Sequence, residues 1–363
     1  MTCQLSDTDL CDAGEDRANP MSVKRVSGMK ARALICDEEQ RFTLEEVDLK
    51  EPAADQILVR ADYTGMSIGT EFALIRNKIS WGPYPLCTGY MGTGIVEAVG
   101  SEIEDFRVGE AVYYRGNDAM TLKDGTPVSC VQGSHCTHAV LRPHTSHGAD
   151  HLPEGAPPDV ACMFVMPAVG LNGADMANPR MGETVVVYGV GQIGLGVVAT
   201  CVHRGCVVIA VDLNQRHLDI ARELGADYLI NGATQDVPAK VRKIVPQGAD
   251  MVFECTGLPQ CIDPAIELCR PQGSFVWQGN YGAAPVSLHF LPAHGKRLRM
   301  FFPCDDGLQP CRRAVVKNMA LGVLKWEKTI THRIPYTEAP TMYQRINQGE
   351  ANDIVGVVIS WSN

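Results

Sequence analysis

Apolar and polar positions along this chain follow two rhythms. From Met29 the apolar residues fall in short runs, Lys30 to Ile35, Phe42 to Val47, Gln56 to Ala61, Gly94 to Val99 and Ala111 to Tyr114, separated by Pro, Gly and acidic turns. Runs of that length predict strands, and their close succession predicts an all-β, barrel-like unit. Near Pro157 the period lengthens, and Ala161 to Met176 takes helical spacing. After Met181-Gly182-Glu183 strands and helices alternate over Thr184 to Tyr188, Gln192 to Arg204, Val207 to Val211, Gln215 to Leu224, Met251 to Glu254, Pro259 to Cys269 and Gly273 to Gln278. Such alternation predicts a doubly wound parallel sheet, because parallel strands need crossover connections. Beyond about residue 300 the alternation stops. A helix over Ala339 to Ile346 and a strand over Ile354 to Ile359 close the chain and are expected to return to the first unit.

The chemistry concentrates at Gly189-Val190-Gly191-Gln192-Ile193-Gly194, a GxGxxG set directly after an apolar strand and directly before a helical stretch. In that context Gly189 makes a tight turn, Gly191 lets backbone approach a pyrophosphate, and Gly194 lets the helix pack closely on the strand. The amides opening the helix, at Gln192 and Ile193, are the expected phosphate donors. Asp212 ends the next strand, 18 residues past Gly194, where a ribose-binding carboxylate belongs. A carboxylate there accepts from ribose hydroxyls but faces a 2′-phosphate with like charge, so NAD is favoured over NADP. Arg216 is read mainly as a solvated helix residue. Thr256 or Cys255, in Glu254-Cys255-Thr256-Gly257, and Gly279 follow later strands at the carboxyl edge where ligands of open α/β sheets bind. At each of these the plain alternative is a strand-to-helix turn.

Composition narrows the function further. The 363 residues carry a formal charge of −10, which argues against a nucleic-acid or anionic-lipid surface and leaves small molecules as the expected partners. No apolar run approaches the roughly 20 residues of a membrane span. Residues 1–28 lack an apolar signal core and hold Asp7, Asp9, Asp12, Glu15 and Asp16, so a disordered extension is expected there rather than a secretory leader. The 14 cysteines include no CxxC pair and several interrupt strand-like text, which fits reduced, buried thiols in the cytoplasm. The histidines between His135 and His151 match no helix face, and a surface strand and loop is preferred to a metal site.

Several motifs in this order carry a resemblance: Val96-Glu97-Ala98-Val99-Gly100, Val108-Gly109-Glu110-Ala111-Val112, the GxGxxG, Leu224-Gly225-Ala226-Asp227, Phe253-Glu254-Cys255-Thr256-Gly257 and Thr331-His332-Arg333. Together, from Met29 to Trp361, they resemble the medium-chain dehydrogenase/reductase superfamily, on its sorbitol and threonine dehydrogenase side. The resemblance implies an α/β protein with a GroES-like β-barrel catalytic domain over 29–160, a Rossmann NAD-binding domain over 161–300, and a return to the catalytic domain over 301–363. It also implies hydride transfer in the cleft between the two domains, and a dimer or tetramer joined near Phe275 to Leu291.

The departures concern the metal. Where zinc-dependent members carry a ligand cysteine, this chain reads Gly65-Met66-Ser67-Ile68-Gly69-Thr70-Glu71; in place of Gly-His-Glu it reads Gly89-Tyr90-Met91; near Phe164-Val165-Met166-Pro167 it offers a thioether at best. A catalytic zinc needs three N, O or S ligands of borderline softness, so no metal site is expected. Proton transfer then falls to side chains, with Thr70, Glu71 and Tyr90 as candidates; the alternatives are an internal ion pair between Glu71 and a buried arginine, and a space-filling Tyr90. NAD-dependent, zinc-independent oxidation of a secondary alcohol such as a polyol or sugar derivative is the leading reading. A zinc-free quinone or enoyl reductase and a non-catalytic NAD-binding protein stay open. The Ser-x-Gly-Thr-Glu stretch also resembles zinc-free relatives acting on larger alcohols, including bacteriochlorophyllide dehydrogenases.

Overall fold

A computed structural model describes residues 28–80 and 82–362; the extension expected over 1–28 lies outside these apart from Gly28. The described residues build three sheets. Met29–Cys36 and Phe42–Leu49 pair along their whole length and close a small barrel with Met120–Leu122, Pro127–Cys130 and Leu86–Cys87. Beside it lies a mixed sheet centred on Ile57–Met66, which takes Gly92–Val99 on one side and Gly356–Ser360 on the other. Gly356–Ser360 in turn pairs with Ile330–Pro335, so the end of the chain returns to the sheet where its first third folds.

The third sheet is wholly parallel, in the order Tyr228–Asn231, Val207–Asp212, Thr184–Tyr188, Ala249–Glu254, Cys269–Trp277, Arg299–Phe301. Its central strands are apolar along their middles, with Val185, Val186 and Val187 sealed from solvent, as expected of a sheet covered on both faces. Chain order reverses at Thr184–Tyr188: the strands that follow it in sequence add first on one side, Val207–Asp212 and Tyr228–Asn231, and then on the other, from Ala249–Glu254. The carboxyl ends of the strands there flank a crevice, the usual ligand position in this architecture. The barrel unit and the doubly wound sheet agree with the fold class expected from the sequence.

Three elements differ from the sequence pattern. The helix expected over Ala161 to Met176 is two helices, Pro158–Ala161 and Val165–Ala177, because the chain turns at residues 162–164 to pass between the sheets. The strand expected to stop at Ala61 continues to Met66, because Tyr63 and Thr64 find partners on both sides, in Gly92 and Thr93 and in the distant Ser360 and Ile359. The helix expected over Pro259 to Cys269 is a short 3-10 turn followed by Ile262–Leu268, and Cys269 already begins the next strand.

One apolar cluster joins the halves. Tyr90, Met91 and Tyr113 from the mixed-sheet side pack with Met163, Phe164 and Met166 and through them with Val187, Leu195 and Phe253 of the parallel-sheet side.

Candidate functional site

The glycine loop is shaped as its sequence implies, and each glycine has a separate reason. Gly189 has φ +90°, and a Cβ there would lie 2.7 Å from the Thr256 methyl. A Cβ on Gly194 would lie 2.0 Å from the Gly189 carbonyl oxygen, so this position closes helix on strand. At Gly191 a Cβ would meet nothing within 4 Å: the space above this backbone is open, as an approaching phosphate requires. The helix that follows, Gln192–His203, has no side-chain cap. Two later helices of the same unit do, through Asn214 to the Arg216 N–H and through Asp236 to the Ala239 N–H. The uncapped first-turn amides suit an anion. The Gln192 side-chain nitrogen, turned toward Gly356, also lacks a partner.

Asp212 sits at the end of its strand beside this loop. Its carboxylate accepts from the Val190 N–H at 2.8 Å and the Asn214 N–H at 2.9 Å, with His217 Nδ1 3.3 Å away. Burial by itself would raise its pKa, but the His217 contact and these N–H donors hold it below the usual carboxylate range, so the group is an anion with acceptor capacity to spare. On the strand Ala249–Glu254, across Thr184–Tyr188 from that of Asp212, Glu254 is fully buried and gathers the remaining candidates. It accepts from the Thr256 N–H and hydroxyl, the Gly257 N–H and the Tyr281 hydroxyl, while its carbonyl accepts from the Gly279 N–H at 2.8 Å. Gly189, Asp212, Thr256 and Gly279 therefore lie together along one strand edge. Cys255 carries a thiol that burial pushes well up and is no nucleophile. This set fits a dinucleotide: loop and helix amides for the pyrophosphate, Asp212 for ribose hydroxyls.

The facing half holds Thr70, Glu71 and Tyr90. Glu71 is fully buried and turned inward. Its Oε1 accepts from the Ser67 N–H at 2.7 Å; its Oε2 accepts from the Tyr343 hydroxyl at 2.5 Å and lies 3.1 Å from His135 Nε2. His135 Nδ1 in turn lies 2.8 Å from Thr64 Oγ1, which accepts from the Trp361 indole at 2.7 Å. The partner of Glu71 is thus a histidine and a phenol, not the arginine expected. Burial alone would raise the carboxyl, and His135 with the Ser67 and Tyr343 hydrogen bonds brings it below the usual range. Through its bond to the Ser67 N–H, Glu71 secures the loop that presents Ser67 and Thr70. Tyr90 directs its phenol toward those two hydroxyls. Burial drives the phenol up to about 12, against the lowering contacts of Ser67 and Thr70, so Tyr90 remains a protonated donor at neutral pH.

The family's zinc does not fit these residues. The three positions that carry its ligands hold a hydroxyl at Ser67, a phenol at Tyr90 and a thioether at Met166, and methionines fill the space beside them. A Cβ on Gly65 would lie 2.4 Å from Met163 Sδ and 3.1 Å from Met91 Cε. Among the described residues, no cluster of His, Cys, Asp and Glu could hold a metal. The histidines expected on a surface strand divide: His144 and His151 are partly exposed, while His135 is sealed in the network above. Tyr343 carries no local sequence signal, and the motifs that hold His135 and Glu254 do not reveal their distant partners. The roles of His135, Tyr343 and Glu254 arise from contacts across 64, 272 and 27 positions.

The chain matches the family model for the alcohol dehydrogenase GroES-like domain over residues 53–153 and that for zinc-binding dehydrogenase over residues 193–319. It is 24% identical over 368 residues to an S-(hydroxymethyl)glutathione dehydrogenase of Saccharomyces cerevisiae, covering 88% of this chain and 93% of that one. To an (R,R)-butanediol dehydrogenase of Neisseria gonorrhoeae it is 28% identical over 280 residues, 71% of this chain and 76% of the other. It superposes on a short chain alcohol dehydrogenase (rspB) from E. coli CFT073, solved with NADH, with a TM-score of 0.78 at 21% identity, covering 92% of this chain and all of that one.

Two outcomes are expected. Gly191→Ala should leave stability within about 0.5 kcal/mol and weaken nucleotide binding about tenfold or more, whereas Gly194→Ala should destabilise by about 1–3 kcal/mol; denaturant titration with calorimetric binding checks both. Glu71→Gln should cost on the order of 3–5 kcal/mol at neutral pH. The Glu71 carboxyl is depressed on folding, so its contribution is complete above its ordinary value of 4.5 and is lost as pH falls through the lower folded value. The variant should lack that acid-side loss in urea titrations run across pH.

Proposed function

The chain belongs to the medium-chain dehydrogenase/reductase superfamily as an alcohol dehydrogenase-like oxidoreductase, and from that premise we propose that it transfers hydride between NAD and a secondary alcohol, a polyol or sugar derivative, without a catalytic zinc. The observation that carries this reading is the hydroxyl cluster of Ser67, Thr70 and Tyr90, in which Ser67 and Tyr90 stand in the stretches that would carry zinc ligands and Tyr90 is kept protonated. When bound, NAD supplies the hydride acceptor. The Asp212 charge supports NAD over NADP, since a 2′-phosphate would bring like charge to its carboxylate. Gly191, Gln192 and Ile193 would receive the pyrophosphate, and Thr256 and Gly279 would line the nicotinamide side of the crevice.

On the catalytic face, Tyr90 holds the substrate oxygen by donating a hydrogen bond, the part a Lewis acid plays elsewhere in the family. Thr70, which is partly exposed, passes the alcohol proton outward. Glu71 is committed to Ser67, His135 and Tyr343 and acts by holding the loop. The diol specificity of the Neisseria relative supports a polyol substrate.

The same reading takes 29–160 as the catalytic domain, 161–300 as the nucleotide domain and 301–363 as the return, except that the strand Arg299–Phe301 and the helix Leu308–Ala320 still pack with the parallel sheet and go with the nucleotide half. The pairing of Gly356–Ser360 with Ile57–Met66 supports that return. Of the interface expected near Phe275 to Leu291, Phe275 lies on an interior strand of the sheet, so a second copy would dock instead on the edge strand Arg299–Phe301, near which Phe290, Leu291 and Phe302 are exposed. The twelve free thiols of the described residues support a reducing compartment, the cytoplasm. No helix among the described residues is long and apolar enough to cross a membrane.

Tyr90→Phe and Thr70→Ala should each lower turnover about a hundredfold in NADH-formation assays with a polyol panel, and unchanged turnover in both would discard the assignment. In thermal shift, NAD at about 100 times its dissociation constant should add about 2.7 kcal/mol and NADP less. Metal analysis of active enzyme should find no stoichiometric zinc.

A further inference from the structure

Beside Tyr90 lies a second buried network that the proposed chemistry leaves unused. Arg115, at the end of the strand Ala111–Tyr114, is almost fully buried. Its Nε donates to the Tyr90 carbonyl at 3.2 Å, and its guanidinium carbon lies 5.3 Å from the centre of the Tyr90 ring. Its Nη1 donates to Asp305 Oδ1 and Asp306 Oδ2, each at 3.0 Å. Asp306, fully buried, is gripped on its other side by Arg312, whose Nε and Nη2 reach its two oxygens at 2.6 and 2.8 Å. Asp305 also meets His147 Nε2 at 3.3 Å.

Asp305 and Asp306 follow the edge strand Arg299–Phe301 of the parallel sheet, and Arg312 lies on the helix Leu308–Ala320, whose Cys311, Val315 and Val316 pack with that sheet's side of the core. The backbone is bent to present them: Asp305, Gly307 and Leu308 have φ of +60°, +70° and +59°. For a leucine this is an unfavourable conformation, one that surrounding contacts must hold in place. Two guanidinium groups face two carboxylates, so the cluster is neutral and closed. One planar fork reaches a carbonyl, two carboxylates and an aromatic face together, which an ammonium cannot do.

We propose that Arg115 is a positioning residue that fixes Tyr90 against the nucleotide-binding half, so that the phenol's place in the cleft is set by Asp305, Asp306 and Arg312 across the domain junction. This rests on the role of Tyr90 given above. Arg115→Lys keeps the charge but not the fork, and Asp305→Asn removes one grip at a half-exposed site that folding tolerates.

Both variants should fold, with kcat down about tenfold for Arg115→Lys and about threefold for Asp305→Asn while KM for NAD stays unchanged. The Tyr90 phenol, followed by ultraviolet titration as the difference between each protein and its Tyr90→Phe counterpart, should ionise nearer the ordinary tyrosine value in Arg115→Lys, because burial is the main cause of its displacement. Folded variants with unchanged kcat and an unchanged phenol titration would overturn the proposal, as would a loss of kcat matched by an equal rise in KM for NAD. Should Tyr90→Phe alone retain full turnover while the phenol titration moves as expected, the catalytic role of Tyr90 fails and the positioning by Arg115 stands.

Discussion

A carboxylate taken out of water must be supplied with donors on every side, and each half of the cleft is organised around one such group. Glu71 draws the Ser67 N–H, the Tyr343 hydroxyl and His135 to itself. Glu254 draws two N–H groups and the hydroxyls of Thr256 and Tyr281. The segments they immobilise, Ser67 to Thr70 on one side and Thr256 to Gly257 on the other, are the ones that the proposed function would turn toward the substrate and the nucleotide. Neither acid needs to touch a ligand to matter. Each converts a loop, which would otherwise sample many conformations, into a fixed wall of the site.

On the reading proposed above, this arrangement would let an enzyme of this architecture work without a Lewis acid. A metal ion binds its ligands strongly and so orders the loops that bear them. Here Met91 and Met163 crowd Gly65, and Glu71, held by His135, ties down the neighbouring loop through the Ser67 N–H. On that reading the electrostatic task would pass to a neutral phenol, which burial keeps a donor across the physiological range. A buried phenol is weaker than a cation at stabilising an alkoxide, so its placement must be tighter, and the Arg115 cluster occupies the position from which that placement can be controlled.

The nucleotide half could be read in the sequence almost completely. GxGxxG between an apolar strand and a helix, followed by an acid at the next strand's end, is a local arrangement, and each glycine meets the steric condition its motif position implies. The facing half could be read only in part. Loss of the ligand side chains was visible at Ser67, Tyr90 and Met166, but what replaced them was not. Glu71 looked like a base and is a strut, and His135 looked like a surface histidine and is sealed. The strand that carries Gly65 and Met66 outran its local pattern because its partner lies near the chain's far end.

The order of residues alone determined the class of fold, the shape of the glycine loop, the acid that ends the neighbouring strand and the donor types at Ser67, Tyr90 and Met166, because periodicity, turn chemistry and side-chain donor type are properties of neighbouring positions. Only the tertiary structure decided which buried charges meet. Glu71 with His135 and Tyr343, and Arg115 with Asp305 and Asp306, are joined across 64, 272, 190 and 191 positions. Electrostatic pairing in a dry interior depends on distance through space, and no spacing along the chain encodes that distance.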